Sequence, residues 1–323
     1  MNVGRMENTC SGEAATGMLF CLAVLIFFLA AGPAQSVPAG QGAAGEGSSP
    51  AEIIWSSPQP GLELGLASMA PAEAGEEDAY CVFVRLSPRL VTFSLHMASE
   101  TGAAHSLRQW AELEGLVAGI NASMYLPDNS TSTGLMRTRG HVNNGRAGKR
   151  LGAFFVSLPE GPGLPAADIL EHDGGDWEKR LSRYGLAVQN YRLLNSRGRI
   201  LWPEGGPAHS IAAVGKDRRG RILFILAQRP LPAADFAGLL KKFPLDLGPV
   251  MYVEGGSQAG LFVRETGTQA VPARPGAASF TARDGVIHVW KGRHSLLDLR
   301  GNPEAPLPNI IGVRAAGGQA GRP

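Results

Sequence analysis

Apolar residues recur at every second position through several short stretches of this chain, the period of a half-buried β-strand. Residues 80–86 (YCVFVRL) and 90–97 (LVTFSLHM) alternate in this way, and Ser87-Pro88-Arg89 between them has turn chemistry, so the pattern predicts a β-hairpin. Residues 116–120, 152–158 and 186–194 read as further strands, as do 286–290 and 309–313 near the end of the chain. Residues 209–214 and 221–226 flank the turn-rich GKDRRG and predict a second hairpin. Helical spacing is rarer. Ser106 stands where it would cap a helix reaching Leu116, residues 176–184 carry a helical charge pattern ended by Gly185, and residues 232–243 place Phe236, Leu239, Leu240 and Phe243 along one face.

Strands outnumber helices and are joined by turns. The expected fold class is therefore α+β: a single domain with a mostly antiparallel mixed β-sheet core and a few packing helices. The expected boundaries are a signal peptide over residues 1–36, a flexible linker over 37–78, the domain over 79–315 and a disordered tail over 316–323.

Residues 249–263, PVMYVEGGSQAGLFV, hold two β-prone runs around an acidic residue, two glycines and a serine, and predict a strand, a tight turn and a strand. Gly255 and Gly256 are open to positive φ and to close approach by a ligand. A carboxylate at Glu254 beside exposed amides and Ser257 suits acid–base work, and a solvated hairpin turn has the same pattern.

Composition narrows the function. A net charge of +2 with interspersed signs and no long basic run excludes a nucleic-acid footprint. Residues 18–31 (MLFCLAVLIFFLAA) form an apolar run of signal-core length, shorter than a spanning helix, with small residues at Ala34 and Ser36 for cleavage after Ser36. The expected location is periplasmic or extracellular, with a membrane anchor only where the segment stays uncleaved. The flank carries only Arg5 against Glu7 and Glu13, and Phe20 before Cys21 argues against a lipoprotein signal. Of three cysteines only Cys81 survives cleavage, in an alternating strand, and reads as a small buried residue. The stretch 37–78, rich in Gly, Ala, Pro, Ser and Glu, reads as a tether.

No Walker loop, GxSxG, HExxH or CxxC pair is present, and the seven histidines lack metal-ligand spacing. No cofactor is called for, although Asp128 and Glu254 leave room for a divalent cation. What remains is a set of polar residues at strand ends: Asn121, Asn190 with Arg192, His209 with Ser210, and Glu254 through Ser257. The polar loop 126–150 adds Arg137. If the sheet gathers these ends, Glu254 and His209 supply acid and base, Arg192 or Arg137 clamps an anion, and Asn121 and Asn190 bond sugar hydroxyls.

The order of these segments resembles the phosphodiester glycosidase family over residues 79–313. The resemblance is carried by Ile120-Asn121-Ala122-Ser123-Met124-Tyr125, by Ser210-Ile211-Ala212-Ala213-Val214-Gly215, by Val253-Glu254-Gly255-Gly256-Ser257 and by Pro308-Asn309-Ile310-Ile311-Gly312-Val313. Glu254 stands where the family pattern has aspartate, and two glycines precede Ser257 where it has three. The resemblance implies an exported hydrolase acting on a phosphodiester-linked sugar of the cell envelope or an exopolysaccharide. The alternative is a non-catalytic glycan-binding or envelope-assembly protein that keeps a degenerate pocket.

Overall fold

The computed structural model describes residues 52–69, 80–173, 175–266, 275–293 and 302–316. The apolar run 18–31 and the tail from residue 317 lie outside them. The chain opens with β1 (Ile54–Gln59), β2 (Leu62–Ser68), β3 (Tyr80–Leu86) and β4 (Val91–Met97), then α1 (Ala98–Thr101), α2 (Leu107–Leu113) and β5 (Ala118–Asn121). It continues through β6 (Met136–Arg137), β7 (Val142–Asn144), β8 (Ala153–Pro159), β9 (Ala167–Glu171), α3 (Trp177–Leu181) and β10 (Tyr184–Leu194). It closes with β11 (His209–Asp217), β12 (Ile222–Leu231), α4 (Ala233–Leu240), β13 (Leu247–Gly255), β14 (Gly260–Glu265), β15 (Ala278–Ala282), β16 (Gly285–Lys291) and β17 (Asn309–Ala315).

The described strands make two sheets. One runs β1-β2-β3-β12-β11-β13-β10-β6-β7, with β8 on β10 and β9 on β8; the other runs β15-β16-β14-β5-β17-β4. Every pairing between these strands is antiparallel. The expected mostly antiparallel core with few helices is what forms. The expected hairpin of β11 and β12 forms too, from Lys216 opposite Ile222 to His209 opposite Leu231.

The sheets bury their facing sides against each other. Phe93 of β4 meets Phe155 of β8 and Phe224 of β12 edge-on, with ring centroids 5.4 and 6.3 Å apart. All three rings are buried, each contributing about 2 to 3 kcal/mol of apolar transfer. On the outer face of the larger sheet α4 packs Phe236 and Leu240 with Phe83 and Phe243, and on the outer face of the smaller one α2 packs Leu107 and Trp110 with Phe262. Ser106 caps α2 as expected, through a reciprocal pair with Gln109 at 3.2 and 2.9 Å.

Two expectations fail. β3 and β4 do not form a hairpin: β3 pairs with β2 and β12, and β4 with β17. The apolar faces of both strands belong to the inter-sheet core, so Ser87–Arg89 is a corner that carries the chain from one sheet to the other. The linker expected over residues 37–78 contains β1 and β2: Leu62 and Leu64 alternate into the inter-sheet core while Ala67 packs on the other face of the sheet, a pattern that their small and polar neighbours disguise. Gly61, at φ +79°, turns between them. Cys81 is fully buried in β3, and burial pushes its thiol well up.

Candidate active site

Residues 249–263, expected as a strand, turn and strand, form those elements, but the strands do not pair. β13 belongs to the larger sheet and β14 to the smaller, and a 3-10 turn, Gly256–Gln258, makes the crossing. Gly256 opens the turn at φ +67°, in the left-handed region. Just before it, β13 carries an irregularity: Ala213 lies opposite Tyr252 while Ala212 lies opposite Glu254, so Val253 is an extra residue. Strict alternation would aim Glu254 to the side of Tyr252 and Val250. The bulge turns it to the side of Ala212, toward the inter-sheet core.

Glu254 is 8% exposed. Burial pushes its carboxyl up to about 7, against the opposing pull of the Gly255 N–H and of Lys291. Gly255 N donates to Glu254 Oε1 at 2.9 Å. Among the described residues no other carboxylate acts on it. Lys291, at the end of β16, is 4% exposed, and burial lowers its ammonium to about 8 while the charge of Glu254 holds it up. Its Nζ donates to Gln258 O at 2.9 Å. Asn121 Nδ2 donates to the same oxygen at 3.1 Å, and Gly260 N donates to Asn121 Oδ1 at 2.8 Å. Asn121 therefore braces the crossing on both sides of Ala259.

His209 flanks the same segment from β11. Its Nε2 is 3.0 Å from Tyr252 Oη, and burial, then the charge of Glu254, raises the Tyr252 phenol. A Cβ on Gly255 would fall 2.0 Å from Tyr252 Oη and 2.7 Å from His209 Cδ2, so only glycine fits under this pair. His209 and Glu254 thus stand on opposite sides of the β13 end, separated by Gly255. Ser210 is buried: its Oγ donates to Gln228 O and accepts from Arg293 N at 2.6 Å, so it ties strand to loop and has no open face for substrate. Ser257 lies in the 3-10 turn beside Gln258.

Asn190 reaches the same region, donating from Nδ2 to Ala122 O at 2.8 Å. Its Oδ1, Gln258 Oε1 and both polar atoms of Asn309 are buried without a hydrogen-bond partner among the described residues. Each such atom costs about 1 to 3 kcal/mol, which a hydrogen-bonding ligand or water would offset.

The two arginines expected as the anion clamp are engaged elsewhere. Arg192 donates to Glu171 Oε1 at 2.7 Å and to both oxygens of Asp173 at 2.8 and 2.7 Å. Two carboxylates offset its charge, and its guanidinium holds the Asp173 carboxyl below the ordinary range. Arg137 Nη2 donates to Leu181 O at 3.3 Å, next to α3. Asp128 accepts from Ser130 N, Thr131 N and Thr131 Oγ1 within its own loop. Sequence reasoning missed Lys291 and Tyr252. The signal for Lys291 was present: Ile287, Val289 and Lys291 share one face of β16, and a cation ending a buried face needs a partner.

A family model for phosphodiester glycosidases matches residues 114–314, which contain Asn121, His209, Glu254 and Lys291. The chain belongs to the phosphodiester glycosidase family. The fold agrees with that membership. The catalytic domain of zebrafish N-acetylglucosamine-1-phosphodiester alpha-N-acetylglucosaminidase, auto-inhibited by its pro-peptide, matches at a TM-score of 0.55 and 12% identity, over 83% of this chain and 89% of that one. A hypothetical protein from Synechocystis matches at a TM-score of 0.52 and 12% identity, over 82% of this chain and 64% of that one. At such identity the likeness to both speaks for the fold alone. No curated protein matches the chain.

Proposed function

We propose that this phosphodiester glycosidase family member is an exported hydrolase that releases a sugar from a phosphodiester of the cell envelope or an exopolysaccharide. The observation that carries the reading is the Glu254 carboxyl, buried beside a turn of close-packed glycines and kept in its acid form up to about pH 7. A carboxyl so placed protonates the departing phosphate oxygen as the bond to the glycosyl carbon breaks. His209, steadied by Tyr252, is the group that takes a proton from the attacking water. The unpartnered amide atoms of Asn190, Gln258 and Asn309 support a polyhydroxylated ligand, whose hydroxyls both donate and accept. The apolar run 18–31 supports export.

The test is release of reducing sugar from a sugar 1-phosphodiester by purified protein, with Glu254→Gln beside wild type. Loss of a general acid lowers kcat by about two to four orders of magnitude. Equal rates remove Glu254 from the mechanism, and saturable binding with no turnover in wild type returns the non-catalytic glycan-binding alternative.

A further inference from the structure

Glu254 and Lys291 stand at the two sides of one turn: Gly255 N bonds the Glu254 carboxyl, and Lys291 bonds Gln258 O. Among the described residues Lys291 Nζ donates one hydrogen bond, to Gln258 O, and an ammonium has three hydrogens to give. Glu254 is the one charge that stabilises this ammonium, so protonating Glu254 leaves a buried cation with no counter-charge among the described residues. A buried, uncompensated charge is costly, and the cost falls when an anion arrives nearby. Among the described residues the groups around Glu254 add no negative charge: Tyr252 on its own strand is a neutral phenol, and His209 of β11 is hydrogen-bonded to it. Gly292 lets this cationic strand end lie on the turn, since a Cβ there would fall 2.3 Å from Gly256 O.

We propose that Lys291 is the residue that makes the site select an anionic phosphodiester over a neutral glycoside. It acts through its field and through the position it gives Gln258, and is a positioning residue, not a group that takes part in bond making. The proposal rests on the glycosidase reading above and adds to it the source of charge selectivity, which Arg192 and Arg137 do not supply. Its logic is one of matched states: the acid form of Glu254 and the ammonium of Lys291 together carry one positive charge, and a phosphodiester monoanion restores neutrality. Substrate binding thereby also holds Glu254 in the acid form that the reaction consumes.

The experiment compares a sugar 1-phosphodiester with the neutral aryl glycoside of the same sugar, following release of reducing sugar by wild type, Lys291→Met and Lys291→Arg. Lys291→Met is expected to lower kcat/KM for the phosphodiester by about ten- to a hundredfold and for the neutral glycoside by less than about threefold. Lys291→Arg is expected to recover most of the loss. The descending alkaline limb of the pH profile should move to higher pH in Lys291→Met, because Lys291 lowers the Glu254 carboxyl. An equal fall for both substrates, or no fall for the phosphodiester, overturns the proposal. If wild type hydrolyses neither substrate, the glycosidase reading has failed by itself, and dimethyl phosphate titrated into wild type and Lys291→Met decides the selectivity. Binding about tenfold weaker in the variant supports it; equal binding, or none by wild type, overturns it.

Discussion

Replacing Glu254 by glutamine should stabilise the protein, and only at high pH. The variant keeps an oxygen to accept the Gly255 N–H and loses the ability to ionise. In the wild type the folded-state carboxyl titrates at about 7 against an ordinary 4.5. A raised carboxyl means that folding disfavours the carboxylate: the associated stability is fully present below 4.5 and is lost as pH rises through 7. At about 1.4 kcal/mol per pH unit, the interval from 4.5 to about 7 comes to about 3 kcal/mol. Denaturant unfolding of both proteins at pH 4.5 and pH 8.5 measures it. Glu254→Gln is expected to gain about 3 kcal/mol on wild type between the two conditions while its turnover collapses. A difference in stability that stays constant across this range would show that Glu254 is an ordinary solvated carboxylate, and the acid assignment would go with it.

Two further variants separate the site from its surroundings. Gly255→Ala drives a methyl into Tyr252 Oη and His209 and should break their hydrogen bond, costing about 1 to 3 kcal/mol in unfolding free energy and more than tenfold in kcat; an unchanged melting temperature would show that the pair is not packed on Gly255. Arg192→Gln strands Glu171 and Asp173 without their counter-charge and should cost about 1 kcal/mol, Asp173 being largely exposed, while KM for the phosphodiester stays within about twofold; a tenfold rise in KM would restore Arg192 as a phosphate contact.

Alternation along the chain was enough to place most strands, and the capping box at Ser106 enough to start α2, because both signals are local. Alternation names the buried face of a strand and is silent about its neighbour. That is why two runs joined by Ser87–Arg89, and two more joined by Gly256–Gln258, looked like hairpins when each pair is split between sheets. Glu254 and Asn121 stood out because a polar group closing an apolar strand is visible in one dimension. Arg192 misled for a related reason: its partners Glu171 and Asp173 lie 21 and 19 residues earlier, and nothing local announces that they offset its charge. The orientation of Glu254 was not legible at all, since it depends on one extra residue at Val253 that only the pairing with β11 reveals.

The crossing of the chain from one sheet to the other at Gly256–Gln258 has a kinetic consequence. The hydrogen bonds that brace it, from Asn121 to Gln258 and from Gly260 to Asn121, close loops of 137 and 139 residues. Local turns such as the β11–β12 hairpin can form early, whereas contacts this distant in sequence must wait until most of the chain has collapsed. Glu254 and Lys291 therefore meet late in folding, after both sheets exist. The activity should appear as a single slow phase that lags the recovery of β-structure, and no fragment that lacks either sheet should carry a partial site.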